Sequence, residues 1–194
     1  MIADCTAIVM AGGDSRRMGT DKASLLLGGQ TLLQSVIATM QQLFPKVIVS
    51  VRAPRAGIDL PQVCDEQPDG GPLAGLVASL GQITTPWAFM VACDMPFVVP
   101  EVVELLAGYR LKHQAVVPVV HGHPQPLAAF YAASCLAPLR ASLAAQQKSL
   151  RGVLKQLNVR YVDEAEMLEA DPQLRSFFDL DTPQDVAAAL SGVT

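Results

Sequence analysis

The sequence predicts an α/β fold, a three-layer α/β/α sandwich on a mostly parallel sheet, and three features predict it. Strand-like and helix-like segments alternate along most of the chain. The strand-like segments are nearly continuous apolar runs, the pattern expected when helices cover both faces of a parallel sheet. Chemistry-bearing residues stand at or just after the ends of three of those runs, at Gly12, Ser50 and Asp94. Open parallel sheets bind ligands at the carboxyl ends of their strands, so these three would converge in space.

TAIVMA (6–11) is a β-branched strand, and LLQSVIATMQQL (32–43) carries apolar residues at helical spacing. KVIVSV (46–51) is a second strand. A glycine-rich turn then leads to LAGLVASLGQI (73–83), a second helix. WAFMVAC (87–93) is a third strand running into Asp94, and PEVVELLAGYR (100–110) is a helix opened by proline, favourable at the first helical position. AVVPVV (115–120) and LAAFY (127–131) read as strands on either side of the turn HGHPQP. From about residue 133 the pattern becomes more helical: SCLAPLRASLAA, SLRGVLKQL, then a short strand RYVD. Eight of the 18 acidic residues fall between Asp163 and Asp185, scattered among apolar residues, and read as a solvated face.

At 194 residues, 51% of them hydrophobic and 16% charged, the chain suits one domain with a sizeable core. The net charge of −4 disfavours a general nucleic-acid binder. No segment is read as a membrane span, and the opening MIADCTAIVMAGG has no basic stretch ahead of its apolar run, so a cytoplasmic protein without a secretory signal is expected. Cys5, Cys64, Cys93 and Cys135 do not pair at metal-ligand spacing. They read as reduced, buried small residues, with Cys93 set apart by its neighbour Asp94.

The densest motif is MAGGDSRRMGTDK (10–22). Gly12 and Gly13 can take backbone angles closed to other residues and let amides approach an anion, and successive amides in such a turn cradle phosphate. Arg16, Arg17 and Lys22 add positive charge, which Asp14 and Asp21 partly offset. It is not a P-loop, since Gly19 is followed by Thr20 and Asp21, nor do Gly12, Gly13 and Gly19 fit the dinucleotide spacing. A glycine turn with solvated arginines is the plainer alternative. A lysine near the mouth of a parallel sheet weighs against it.

Asp94, in VACDMPFV, suits magnesium, which takes one or two carboxylates plus substrate phosphates. Its other use would be to cap the helix that follows. Asp65, in VCDEQPDGGPLAG, is less distinctive, because loop aspartates often satisfy backbone amides. Gly70, Gly71 and Gly75 would let the turn and a helix start near Leu73 lie against a ligand, with the helix's positive end aimed at it. His121 and His123 flank Gly122 and precede Pro124, and read as a turn rather than a metal pair.

AGGDSRRMGTDK resembles the signature of the molybdenum cofactor guanylyltransferases, within the nucleotidylyltransferase superfamily. The resemblance continues in the family's order through CDEQPDGGPLAGLVASL, ACDMPFVVP, HGHPQPLAAFY, SLRGVLKQL and FFDLDTPQDV. It implies a Rossmann-like nucleotidyltransferase domain over residues 1–194, with the acceptor-binding portion mainly in the second half. The implied reaction is transfer of GMP from GTP to the terminal phosphate of molybdopterin, with Mg2+ bound and pyrophosphate released. The attacking phosphate oxygen is already anionic, so no general base is needed and the difficulty is electrostatic.

By resemblance Met10, Ala11, Gly12, Gly13, Lys22, Ser50, Asp65, Gly71, Gly75 and Asp94 surround GTP. Arg17, Lys22 and Asp94 are the implied catalytic residues, with Asp94 on the metal. His123, Arg151, Asp179 and Asp181 belong to the acceptor side. Ser50 stands where the family often has asparagine, and Asp179 and Asp181 stand where it tends toward asparagines. Molybdenum insertion proteins or molybdoenzyme chaperones are the implied protein partners. The rival readings are a cytidylyltransferase acting on the same cofactor, a sugar-1-phosphate nucleotidylyltransferase, and a non-catalytic GTP-binding or cofactor-carrying protein. The Ala-Gly-Gly start leans toward guanine.

Overall fold

The computed structural model describes residues 1–12, 21–65, 67, 70–180 and 183–191. The first half contains β1 (Cys5–Met10), β2 (Leu26–Leu27), β3 (Gln30–Thr31), α1 (Leu32–Leu43), β4 (Lys46–Val51), β5 (Gln62–Cys64), α2 (Gly71–Leu80) and β6 (Trp87–Ala92). The second contains α3 (Pro100–Gly108), β7 (Ala115–Val120), β8 (His123–Pro124), β9 (Ala128–Ala132), α4 (Leu136–Ala144), α5 (Leu150–Leu154), β10 (Val159–Val162), α6 (Glu164–Ala170) and α7 (Pro183–Ser191).

The main sheet has the order β10-β7-β9-β6-β1-β4-β5, with β8 paired to β7, while β2 and β3 form a separate small hairpin. Along that order every pairing is parallel except those of β9, which runs against both β6 and β7. The reversal has a covalent cause. A parallel return needs a crossover of about a dozen residues or more, and the HGHPQP turn is too short to supply one.

Burial on both faces explains the continuous apolar runs. In β1, Cys5, Ala7 and Val9 join Val36 and Met40 of α1 and Val102 and Leu106 of α3 in one core. The intervening Ile8 joins Leu73 and Leu76 of α2, Leu139 of α4 and Val153 of α5 in the other. β6 divides the same way, with Phe89 and Val91 on the first side and Ala88 and Met90 on the second. The expected helix–sheet–helix layering is therefore present. Phe44, Phe89 and Phe130 reinforce the first core, the Phe89 and Phe130 rings lying 4.8 Å apart.

Several boundaries differ from the sequence reading for local reasons. α2 starts at Gly71, ahead of Leu73, because Pro72 occupies an N-terminal position that needs no amide hydrogen bond, and it stops before Gly81. α3 ends at Gly108, before Tyr109 and Arg110. The acidic stretch is less uniformly solvated than its pattern suggests. Asp163 and Glu166 form a capping box that opens α6, Glu166 pairs with Arg160, and Asp171 is buried, accepting the Ser176 amide at 2.7 Å. Cys5, Cys93 and Cys135 are buried as expected, but Cys64 is exposed because it ends β5 at the edge of the sheet.

Candidate nucleotide site

The parallel pairing brings the predicted groups together. Met10 at the end of β1 is in register with Ser50 of β4 on one side and Ala92 of β6 on the other. Gly12, Ser50 and Asp94 thus meet at one sheet edge and border a cavity of about 280 Å³, together with Lys22, Asp65 and Gly71. Met10 and Ala11 line it as well. The strand ends are tied directly: the Cys93 amide donates to the Met10 carbonyl at 3.0 Å, and the Ala11 amide to the Ser50 carbonyl at 2.8 Å.

Lys22 opens a single 3-10 turn, Lys22–Ser24, capped by Asp21. The turn aims its Nζ across the cavity, where it donates to Asp94 Oδ2 at 3.3 Å. The two side chains are only 22% and 20% exposed, so the pair has limited access to screening water. Asp94 does not cap the following helix. Val99 holds the cap position of α3, and its amide donates instead to the buried Ser176 hydroxyl at 3.1 Å. The carboxylate of Asp94 is left facing the cavity, while its carbonyl accepts the Leu180 amide at 2.9 Å. Burial pushes the neighbouring Cys93 thiol up to about 12, which keeps it protonated and unreactive.

Asp65 contributes an unmet acceptor. Its buried Oδ1 has no hydrogen-bond partner among the described residues, and burial raises its carboxyl pKa against the opposing pull of Arg52. Such an atom carries a penalty until a donor reaches it. Gly71 begins α2 at φ +60, a left-handed conformation that favours glycine. Gly75 is required by space: a Cβ there would lie 2.5 Å from Met10 Cε and 2.7 Å from Ser50 Oγ. With glycine, the start of α2 rests on the strand ends. Its cap, Gly70, has no side chain to bond the first amides, an arrangement suited to an anion at the helix start. Gly12 corrects one expectation: it has no left-handed φ, and a Cβ there would make only an ordinary contact, 3.4 Å to Arg52 Cγ, so neither backbone angle nor packing demands glycine at this position.

Two side chains, Arg52 and Arg55, were not singled out as site residues by the sequence. Arg52 lines the cavity. Arg55 pairs both guanidinium nitrogens with the Asp21 carboxylate, one bond being Nη2 to Oδ1 at 2.9 Å, and Nη2 also donates to the Ala11 carbonyl at 3.2 Å. These bonds hold the Asp21 carboxyl below its usual range and raise Arg55. The available signal was the cluster RAPR directly after β4, at a ligand-binding edge.

The acceptor-side expectations are placed differently. His123 on β8, Arg151 on α5 and Asp179 ahead of α7 are exposed, and none borders the cavity. His123 follows the carboxyl end of β7, so it shares the sheet edge that carries Asp94. His121 faces Glu164, with Nδ1 at 3.4 Å from Oε2, and its amide donates to that same oxygen. Among the described residues no three His, Cys, Asp or Glu side chains form a metal cage. Gly13, Arg17 and Asp181 lie outside the described residues.

A cation, a strand-end carboxylate and a glycine-started helix surround one cavity at the carboxyl ends of parallel strands, where open α/β sheets bind ligands. Residues 7–162 match the MobA-like NTP transferase domain family, and the chain belongs to that family. It is 39% identical over 191 residues to a Chloroflexus aggregans protein named probable molybdenum cofactor guanylyltransferase, covering 93% of this chain and 91% of the relative. A Pelotomaculum thermopropionicum protein of the same name is 32% identical, covering 95% and 91%. The crystal structure of molybdopterin-guanine dinucleotide biosynthesis protein A from Archaeoglobus fulgidus superposes with a TM-score of 0.86 at 28% identity, covering 97% of this chain and 98% of that one. A Thermus thermophilus 2-C-methyl-D-erythritol 4-phosphate cytidylyltransferase, at 18% identity and TM-score 0.70 over 95% and 97%, shares the fold. No described helix is long and apolar enough to cross a membrane.

Proposed function

We propose that the protein transfers GMP from GTP to the terminal phosphate of molybdopterin, releasing pyrophosphate and forming the guanine dinucleotide. The observation that carries this reading is the Lys22–Asp94 pair facing one cavity at the sheet edge, in a chain whose relatives bear the guanylyltransferase name. Lys22 leaves Asp94 for the triphosphate and neutralises charge near the α-phosphate, with Arg17 as a second cation. The amides that open α2, with the backbone at Gly12 and Gly13, hold phosphate oxygens. The buried acceptor of Asp65 meets a guanine donor: the base presents two adjacent N–H groups on one edge, matching a carboxylate, whereas cytosine presents one. No base is required, since the acceptor oxygen is already ionised.

The residues present fit a magnesium ion that is held mostly by phosphates, because Asp94 offers one carboxylate facing the cavity. When bound at Asp94, the ion supplies charge neutralisation and a template for the triphosphate. In this reading residues 1–194 form one nucleotidyltransferase domain, and the acceptor occupies its second half beside His123, Arg151, Asp179 and Asp181. Molybdenum insertion proteins or molybdoenzyme chaperones then exchange the acceptor or product with it. A cytoplasmic setting fits the four free cysteines.

The test is pyrophosphate release from GTP and from CTP with molybdopterin as acceptor. Release that depends on GTP, magnesium and molybdopterin is expected. Release from CTP alone overturns the guanylyl assignment in favour of the cytidylyl one. Tight GTP binding with no release makes the protein a carrier.

A further inference from the structure

We propose that Arg55 is the positioning residue for Lys22: its guanidinium bridges Asp21 to the end of β1 and so fixes the turn that presents the Lys22 ammonium to the cavity. The inference rests on the reading that Lys22 serves the nucleotide. Arg55 Nη1 donates to Asp21 Oδ2, and Nη2 reaches both Asp21 Oδ1 at 2.9 Å and the Ala11 carbonyl at 3.2 Å. One planar group therefore joins the residue leaving β1 to the residue entering the Lys22 turn. Asp21 passes this restraint on, accepting the Ala23 amide at 3.3 Å and the Ser24 hydroxyl at 3.0 Å.

Arg55 is itself anchored. The Gln62 side chain accepts the Arg55 amide at 2.8 Å and donates to the Arg55 carbonyl at 2.8 Å, and Gln62 belongs to β5, paired in register with Val49 of β4. The restraint thus runs from the sheet through Gln62, Arg55 and Asp21 to Lys22. Because the fork is already committed to Asp21 and Ala11, Arg55 acts through the turn and not as a phosphate ligand. Lysine cannot reproduce it: an ammonium is a point charge, whereas this geometry uses a flat two-nitrogen edge against a two-oxygen carboxylate.

The experiment compares Arg55→Lys, Arg55→Gln, Asp21→Asn and the double variant Arg55→Gln/Asp21→Asn with the wild type. Two measurements are made on each: hydrogen exchange of the Ala23, Ser24 and Leu25 amides in the free protein, and the kinetics and binding of GTP. Loss of hydrogen bonds to a charged group predicts exchange at those amides about tenfold faster or more, and a similar fall in kcat/KM for GTP, in both Arg55 variants. KM for molybdopterin stays unchanged, and the double variant is no worse than the worse single. Unchanged exchange, additive effects in the double variant, full rescue by lysine, or faster exchange with unchanged handling of GTP each overturn the inference. Should the wild type bind GTP but release no pyrophosphate, guanylyl transfer fails, and the Kd for GTP across the variants then decides the role of Arg55. A wild type that does not bind GTP overturns both.

Discussion

Replacing Gly75 with alanine adds one methyl group where α2 rests on the strand ends. The new Cβ would lie 2.5 Å from Met10 Cε and 2.7 Å from Ser50 Oγ, whereas ordinary contact begins at 3.4 Å. Met10 must therefore give by about 0.9 Å and Ser50 by about 0.7 Å, the gaps between those distances. The Met10 methyl is the end of a flexible chain and can turn. Ser50 is buried to 1% exposure, on a short side chain with little room to yield. Overpacking of this kind costs about 1–3 kcal/mol. Alanine recovers about 1 kcal/mol of helix propensity. The net loss of about 0–2 kcal/mol lowers Tm by a few degrees in a chain of this length.

Both displaced side chains line the cavity, so affinity should suffer more than stability. The expected result is a folded protein whose Kd for GTP rises about tenfold or more, equivalent to about 1.4 kcal/mol. Calorimetric titration and a thermal melt measure the two quantities separately. Gly108→Ala is the control, since nothing lies within 4 Å of a Cβ there. It should leave GTP binding unchanged. A folded Gly75→Ala protein that binds GTP like the wild type would refute the placing of Met10 and Ser50 beneath the nucleotide.

Lys22→Ala and Asp94→Asn should each cut pyrophosphate release by about a hundredfold or more. Each variant should remain folded, so that the loss of turnover is not a loss of structure; a large loss of Tm with normal turnover would reverse the assignment. Ser176→Ala strands the Val99 amide at the start of α3 and should cost about 1–3 kcal/mol in denaturant unfolding. Asp21, held low chiefly by the Arg55 hydrogen bond, lends stability that is complete above its ordinary value of 3.8 and is lost as pH falls through its lower folded value. Arg55→Gln should therefore move the acid-unfolding midpoint upward, as followed by circular dichroism; an unmoved midpoint would show that the pair stabilises nothing.

The layering and the convergence of Gly12, Ser50 and Asp94 at the strand ends were legible because they are written in short-range patterns. α1 runs over Leu32–Leu43 as its spacing indicates, opened by the Thr31–Gln34 capping box. β4 and β7 match their apolar runs to the residue. β5 escaped notice because its three residues, Gln62–Cys64, are a partly polar edge strand with no apolar run to announce it. Asp171 and Cys64 were misread because a side chain's exposure depends on what packs beside it. The described cavity does not reach His123, Arg151 or Asp179, whose proposed acceptor role rests on family resemblance alone.

Periodicity and turn chemistry act over a few residues, so composition and spacing were enough to set the α/β class, the strand-end location of the chemistry, and the glycine-rich start of α2. The partners of each charge were another matter. Lys22 finds Asp94 across 72 residues, and Arg55 finds Asp21 across 34. Those meetings depend on β1 lying between β4 and β6, a strand order that packing selects. The same folding step leaves Asp65 with a buried oxygen that no described residue meets, which no local pattern announces because desolvation belongs to the assembled surroundings.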